Sequence, residues 1–273
     1  QLVKDCIVLL HNAGLRVVSV VLDGNFTNQQ TAKKLGCKFK VSNIQPWFQH
    51  PCNASLLVYV VLDVCHMVKL VRNLIADYKV ISYEENGALQ MVKWEYIEKL
   101  NKLQEEEGLV LANKLKMKYI AWTKNKMNVP MAVQTLSTSV ADAIDFLRED
   151  AKDPDFQGSE PTTKFIRKID HVFDHLNSKN PLGTGLKAPL RLDNQDEWQQ
   201  ELNNTMSFIL DLKDEKGRLL RSSRRKTCII GFTSAIKFVL AIATELLRRE
   251  IKPFNYILTY KFSQDHLELF FNF

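Results

Sequence analysis

The chain has 273 residues, 45% hydrophobic and 25% charged, with a formal net charge of +6 and a pI near 8.9. That is the balance of an ordinary globular protein, long enough for one large or two moderate cores. The five cysteines (Cys6, Cys37, Cys52, Cys65, Cys228) include no Cys-x-x-Cys pair, which argues against a structural zinc site. Their odd, scattered set suits reduced thiols in the cytosol or nucleus. No apolar run approaches the ~20 residues of a membrane span, and no signal peptide opens the chain. The mild positive charge permits nucleic-acid binding without requiring it.

Leu2 to Asn12 has helical apolar spacing at Leu2, Cys6, Leu9 and Leu10, with Gly14 as a stop. Val17 to Leu22 is a Val-rich run, interrupted only by Ser19, that predicts a buried strand. Asp23-Gly24 closes it. An acid at the carboxyl end of a buried strand is where α/β sheets place working groups, while Asp-Gly is also a common turn. Thr27 to Leu35 reads as a short helix, and residues 43–53, with Pro46 and Pro51, as irregular. Leu56 to Leu62 is a second strand ending at Asp63, and the run from Cys65 turns into a helix. Alternating strands and helices predict a mainly parallel sheet covered by helices. Lys69 and Arg72, three apart, could face a phosphate backbone or simply solvent. Asp63 is read as structural, with a supporting place beside a site as the alternative; His66, at a strand-to-helix turn, is read as a hydrogen-bonded structural residue, with a ligand or phosphate contact as the alternative.

After residue 73 the style changes and helical patterns dominate. The stretches 91–103, 109–122, 129–147, 162–176 and 195–212 all read as helices. Phe165, Ile169, Val172, Phe173 and Leu176 face inward in the fourth. The predicted organisation is 1–73 as one part of an α/β core, 74–222 as a helical insertion and 223–273 as the rest of the core. Gly183-Thr184-Gly185-Leu186-Lys187 has glycines and a lysine, but no strand precedes it and it fits neither phosphate-binding fingerprint. Arg218, Arg221, Arg224, Arg225 and Lys226 form a basic cluster, suited to a phosphate backbone or to solvent. Thr227 to Leu247 is strongly apolar and helical.

The chain closes on Ser263-Gln264-Asp265-His266-Leu267-Glu268. On a helix Asp265 and Glu268 project from one face, and Leu267, Phe270 and Phe271 would pack inward on the other. Two carboxylates on one face can take a hard divalent cation with help from a third; a solvated amphipathic helix is the plainer reading. The chain starts within a helical pattern and stops just after this motif, so it reads as a piece of a longer protein.

Four ordered motifs resemble the P-element transposase family, including the THAP-domain transposases. They are Asp23-Gly24-x-x-x-Asn28, Asp63-x-x-His66-x-x-Lys69-Leu70-x-Arg72-Asn73, Phe173-Asp174-x-x-Asn177 and the closing run from Leu258 to Glu268. The resemblance implies an RNase H-like core, partial because its first strands lie upstream of Gln1, interrupted by a mainly α-helical GTP-binding insertion. It implies Asp23 and Glu268 as catalytic, Mg²⁺-holding acids, with a further acid upstream. It implies a guanine nucleotide pocket with Phe173, Asp174, Asn177 and Asp265. Val129 and Ser137, in and after Lys126-Met127-x-Val129, would form a wall, and Lys114 would reach phosphate. Taken from spacing alone, Phe173 is a core aromatic. The expected function is metal-dependent DNA cleavage and strand transfer in the nucleus, with GTP positioning rather than being hydrolysed. The expected partners are transposon ends, target DNA, GTP and further copies of the chain, with no membrane. The alternative is a domesticated, inactive DNA- or protein-binding derivative. A stand-alone GTPase switch is disfavoured by the missing phosphate loop.

Overall fold

The computed structural model describes residues 1–40, 43–108, 111–112, 122–247 and 254–271, with the side chain of Glu268 left aside. In chain order the first elements are α1 (Leu2–Asn12), β1 (Ser19–Leu22), α2 (Phe26–Leu35), β2 (Lys38–Lys40), β3 (Asn43–Gln45), β4 (Trp47–His50) and β5 (Asn53–Leu62). There follow α3 (Val64–Tyr78), β6 (Val80–Glu85), β7 (Ala88–Lys93), α4 (Glu95–Glu107), α5 (Val129–Thr135) and α6 (Thr138–Glu149). The last are α7 (Glu160–Leu176), α8 (Gln195–Asp211), β8 (Lys213–Asp214), α9 (Thr227–Leu247) and α10 (Asp265–Phe271). Two compact units result: Gln1–Val64 with Leu176–Gln199 and Ile230–Phe273, and Cys65–His175 with Gln200–Ile229.

In the first unit β1 runs parallel to β5, with Leu22 opposite Leu62. On its other side β5 pairs antiparallel with β4. The sheet is therefore mixed, not mainly parallel as the alternation of elements predicts. The stretch expected to be irregular supplies β3 and β4: Pro46 sits between the two strands, where its missing N–H breaks no ladder. The core gathers Ile7, Ala32, Phe39, Phe48, Val58, Val60 and Ile230. α1 turns Val3 and Ile7 to this cluster, whereas Leu2 and Leu9 are exposed. The apolar stripe chosen from spacing was the wrong one, because two faces of that helix are apolar and only packing chooses between them. Leu267, Phe270 and Phe271 on α10 are likewise exposed, at 56–73%, against the expectation that they pack inward.

α9 is 21 residues long and apolar enough to cross a membrane by length and composition, contrary to the sequence reading, yet 72% of its most apolar window is buried within the fold. It therefore serves as a core helix. In the first unit Phe238 stacks against Tyr59 and meets Phe262 edge-on at ring separations of 5.3 and 4.7 Å.

The second unit holds a small antiparallel sheet, β7-β6-β8. Its hairpin turns on Asn86-Gly87, both at positive φ, the commonest signature of a tight primed turn. Met91 belongs to β7, so the helix predicted from 91 starts only at Glu95. The helix predicted over 129–147 is two helices. The carboxylate of Asp170, on α7, accepts both the N–H and the hydroxyl of Thr138 at 2.7 Å. That contact starts a new helix where the apolar periodicity simply runs on. The inward face predicted for α7 is present, with Phe165, Ile166, Ile169 and Val172 buried.

Burial of the α7 imidazoles holds His175 and His171 below the ordinary histidine value of 6.5, with the nearby Glu201 carboxylate opposing the shift. The folded state thus keeps them neutral while the unfolded chain protonates near 6.5. Stability is present above that pH and is lost as pH falls from about 6.5 towards the lower native values. Melting temperature is expected to drop between pH 7 and 5, and less so for His175→Gln; a flat profile for the parent would contradict the burial argument.

Candidate catalytic and nucleotide sites

Because β1 and β5 are parallel and in register, Asp23 and Asp63 follow directly on neighbouring strand ends. The N–H of Asp63 donates to the carbonyl of Leu22 (2.9 Å). Asp23 Oδ1 accepts from the Asn25 N–H (3.0 Å) and from Asn28 Nδ2 (2.7 Å). Asn25 in turn caps α2 by accepting from the Asn28 N–H (2.8 Å). The spacing Asp-Gly-x-x-x-Asn thus has a local cause: Asn28 lies in the first turn of α2, where its amide reaches back to the strand-end carboxylate. Asp63 is buried. Glu268 sits on α10, and its side chain falls outside the described residues. Among the described residues no three His, Cys, Asp or Glu side chains gather as a metal cluster.

Lys69 and Arg72 do not face a phosphate backbone or solvent, as either reading of the sequence has it. Both are buried. Burial lowers the Arg72 pKa to about 10. Its Nη2 donates to the Asn125 carbonyl (2.8 Å), and Asn73 Nδ2 donates to that of Lys126 (3.0 Å). The Arg-Asn dipeptide of the motif thus holds the loop that leads into α5.

Val129 opens α5, and Asn128 caps it by accepting from the Met131 N–H (2.9 Å). Ser137 lies between α5 and α6, its hydroxyl donating to the Gln134 carbonyl (2.9 Å). Phe173 is 8% exposed on α7, and Asp174 beside it is half-buried. These four residues belong to the second unit. Lys114 lies outside the described residues.

Asn177 and Asp265 belong to the first unit, where the fold links their segments across more than 80 positions. The Ser178 N–H donates to Thr259 Oγ1 (2.9 Å), and the Tyr260 N–H to the Ser178 carbonyl (3.2 Å). Lys179 pairs with Asp265 at 3.0 Å. Asn177 Oδ1 is buried and accepts no hydrogen bond among the described residues. Lys179 escaped the sequence reading, since a single lysine after a helix carries no pattern. The glycines at 183 and 185 serve the turn: a Cβ on Gly183 would meet the Lys187 carbonyl oxygen at 2.4 Å, and the turn contains no phosphate loop.

The fold is that of an RNase H-like core with a GTP-binding insertion. The TNP-like, RNase H N-terminal domain matches residues 1–36, and the TNP-like, GTP-binding insertion domain matches 65–189. The chain belongs to the P-element transposase family. It is 31% identical over 272 residues to human DNA transposase THAP9, covering 99% of this chain and 29% of that protein. It is 27% identical over 273 residues to the Drosophila melanogaster transposable element P transposase, covering 96% and 33%. Its structure matches the Drosophila P element transposase strand transfer complex with a TM-score of 0.79 at 25% identity, over 99% of this chain and 57% of that one. The chain thus spans about a third of the length of these curated relatives.

Proposed function

We propose that the chain forms part of a nuclear DNA transposase that cleaves transposon ends and joins them to target DNA, acting as an oligomer. The observation that carries this is the Asp23 carboxylate, fixed at a strand end through Oδ1 by two donors. A carboxylate so anchored suits a hard divalent cation. Asp23 and Glu268 would hold Mg²⁺, which when bound activates the attacking oxygen and stabilises the leaving one. Asn25 and Asn28 set the direction in which Asp23 presents its charge.

GTP would serve as a positioning cofactor. Asp174 accepts from the guanine ring N–H and amino group, Phe173 offers its ring to the purine, and Val129 and Ser137 form a wall. Asn177 supplies a buried acceptor that no donor among the described residues meets. Asp265, held by Lys179, and Lys114 complete the set.

The test is cleavage of a DNA substrate carrying the gene's own termini by the full-length protein. Cleavage that needs Mg²⁺ and rises with GTP, without GTP hydrolysis, is expected. Guanine nucleotide binding with no cleavage under any metal would favour the domesticated derivative instead.

A further inference from the structure

The second unit carries a cleft of about 490 Å³ lined by Tyr78, Asp214, Arg218, Leu219, Ser222, Ser223 and Arg224. We propose that this cleft and the cations around it form a contact for the phosphate backbone of DNA, built from residues other than the strand-end acids and the nucleotide set. The proposal rests on reading the chain as part of a DNA-acting protein.

Charge is the first argument. Lys216, Arg218, Arg221, Arg224, Arg225 and Lys226 fall within one short loop, and after Glu215 no acid occurs until Glu245. Two of these cations are engaged: Arg218 with Asp214 at 2.7 Å, and Arg225 with Asp77 at 2.5 Å. Lys216, Arg221, Arg224 and Lys226 make no ion pair among the described residues.

The engaged pairs hold the loop in shape. Asp214 Oδ1 accepts from the N–H groups of Lys216 (3.0 Å) and Arg218 (2.9 Å), and its Oδ2 from Arg218 Nε (2.8 Å). Ser223 Oγ accepts from the Arg225 N–H (3.1 Å), leaving its own hydroxyl hydrogen to donate. Leu220 is buried beneath and pins the turn. The remaining cations are therefore presented on a preformed frame, which lowers the entropy lost on binding.

The loop also runs straight into α9, whose first turn carries no acid. A helix start favours anions, and here it is preceded by Arg224, Arg225 and Lys226. Asp77 meets Arg225 and Asp214 meets Arg218, and the charge of Arg224 and Lys226 beside the helix start is what an arriving anion would relieve. Guanidinium groups with serine and tyrosine hydroxyls around them are the donors that grip phosphate oxygens. Four cations without an acidic partner exceed what a single phosphate neutralises, so a chain of phosphates fits better.

The experiment is anisotropy of a labelled random-sequence DNA duplex with the full-length protein, titrated between 50 and 200 mM NaCl. For Arg224→Ala/Lys226→Ala the affinity is expected to fall about tenfold, and the slope of log K against log salt to become shallower by about 2. Arg224→Lys/Lys226→Arg should retain the slope, and GTP affinity and melting temperature should be unchanged in both. A wild-type slope in the alanine variant overturns the contact while leaving the DNA-acting reading intact. No duplex binding by wild type, even at 50 mM salt, overturns that reading and the contact with it. Polyglutamate binding lost in the alanine variant while DNA binding persists would assign the surface to an acidic polypeptide and overturn the proposal.

Discussion

Asp23→Asn is expected to reduce Mg²⁺-dependent DNA cleavage by the full-length protein by about 10³-fold or more. Asparagine keeps an oxygen at the Oδ1 position, so the N–H of Asn25 and the amide of Asn28 retain their acceptor and the start of α2 stays in place. What is lost is the negative charge. A bound cation stabilises the transition state by several kcal/mol, and loss of about 4 kcal/mol of that corresponds to about 10³ in rate. Glu268→Ala is expected to abolish cleavage in the same assay. Cleavage near the parental rate for either variant, with an unchanged melting temperature, would remove that acid from the site.

Asp174→Ala is expected to weaken GTP binding about 10²-fold while leaving ATP binding, weak to begin with, where it was. A carboxylate recognises guanine by two charge-assisted hydrogen bonds, each contributing about 1.5–3 kcal/mol, and adenine offers no matching pair of donors. Selectivity is therefore the readout that separates recognition from loss of structure. Equal losses for both nucleotides would point to a disturbed α7, and no loss for either would place the guanine elsewhere.

Much of the architecture was legible before any coordinates. The run of apolar β-branched residues before Asp23 marks β1, the apolar run before Asp63 marks the end of β5, and the 3.6-residue stripe of Phe165, Ile169 and Val172 marks α7. Other features were present in the sequence and read wrongly. Asn86-Gly87 is a strong hairpin signal, but the helical spacing of Trp94, Ile97 and Leu100 just after it masks the strand to which Met91 belongs. Lys69 and Arg72 show why charge alone is a poor guide to exposure. A guanidinium can be buried when carbonyl oxygens such as that of Asn125 meet it, and those oxygens lie 53 positions away in sequence.

By itself, the sequence of this protein determined the kinds of element, the strand-end acids and the ordered motifs, because these depend on spacing within a few residues, where periodicity and capping act. Tertiary structure decided which apolar face of α1 is covered, where the helix after Val129 is interrupted by Asp170, and that the segments of Asn177 and Asp265 are tied together. Each of these outcomes turns on a group supplied from far along the chain, and no local pattern records the arrival of a distant carboxylate, carbonyl or ring.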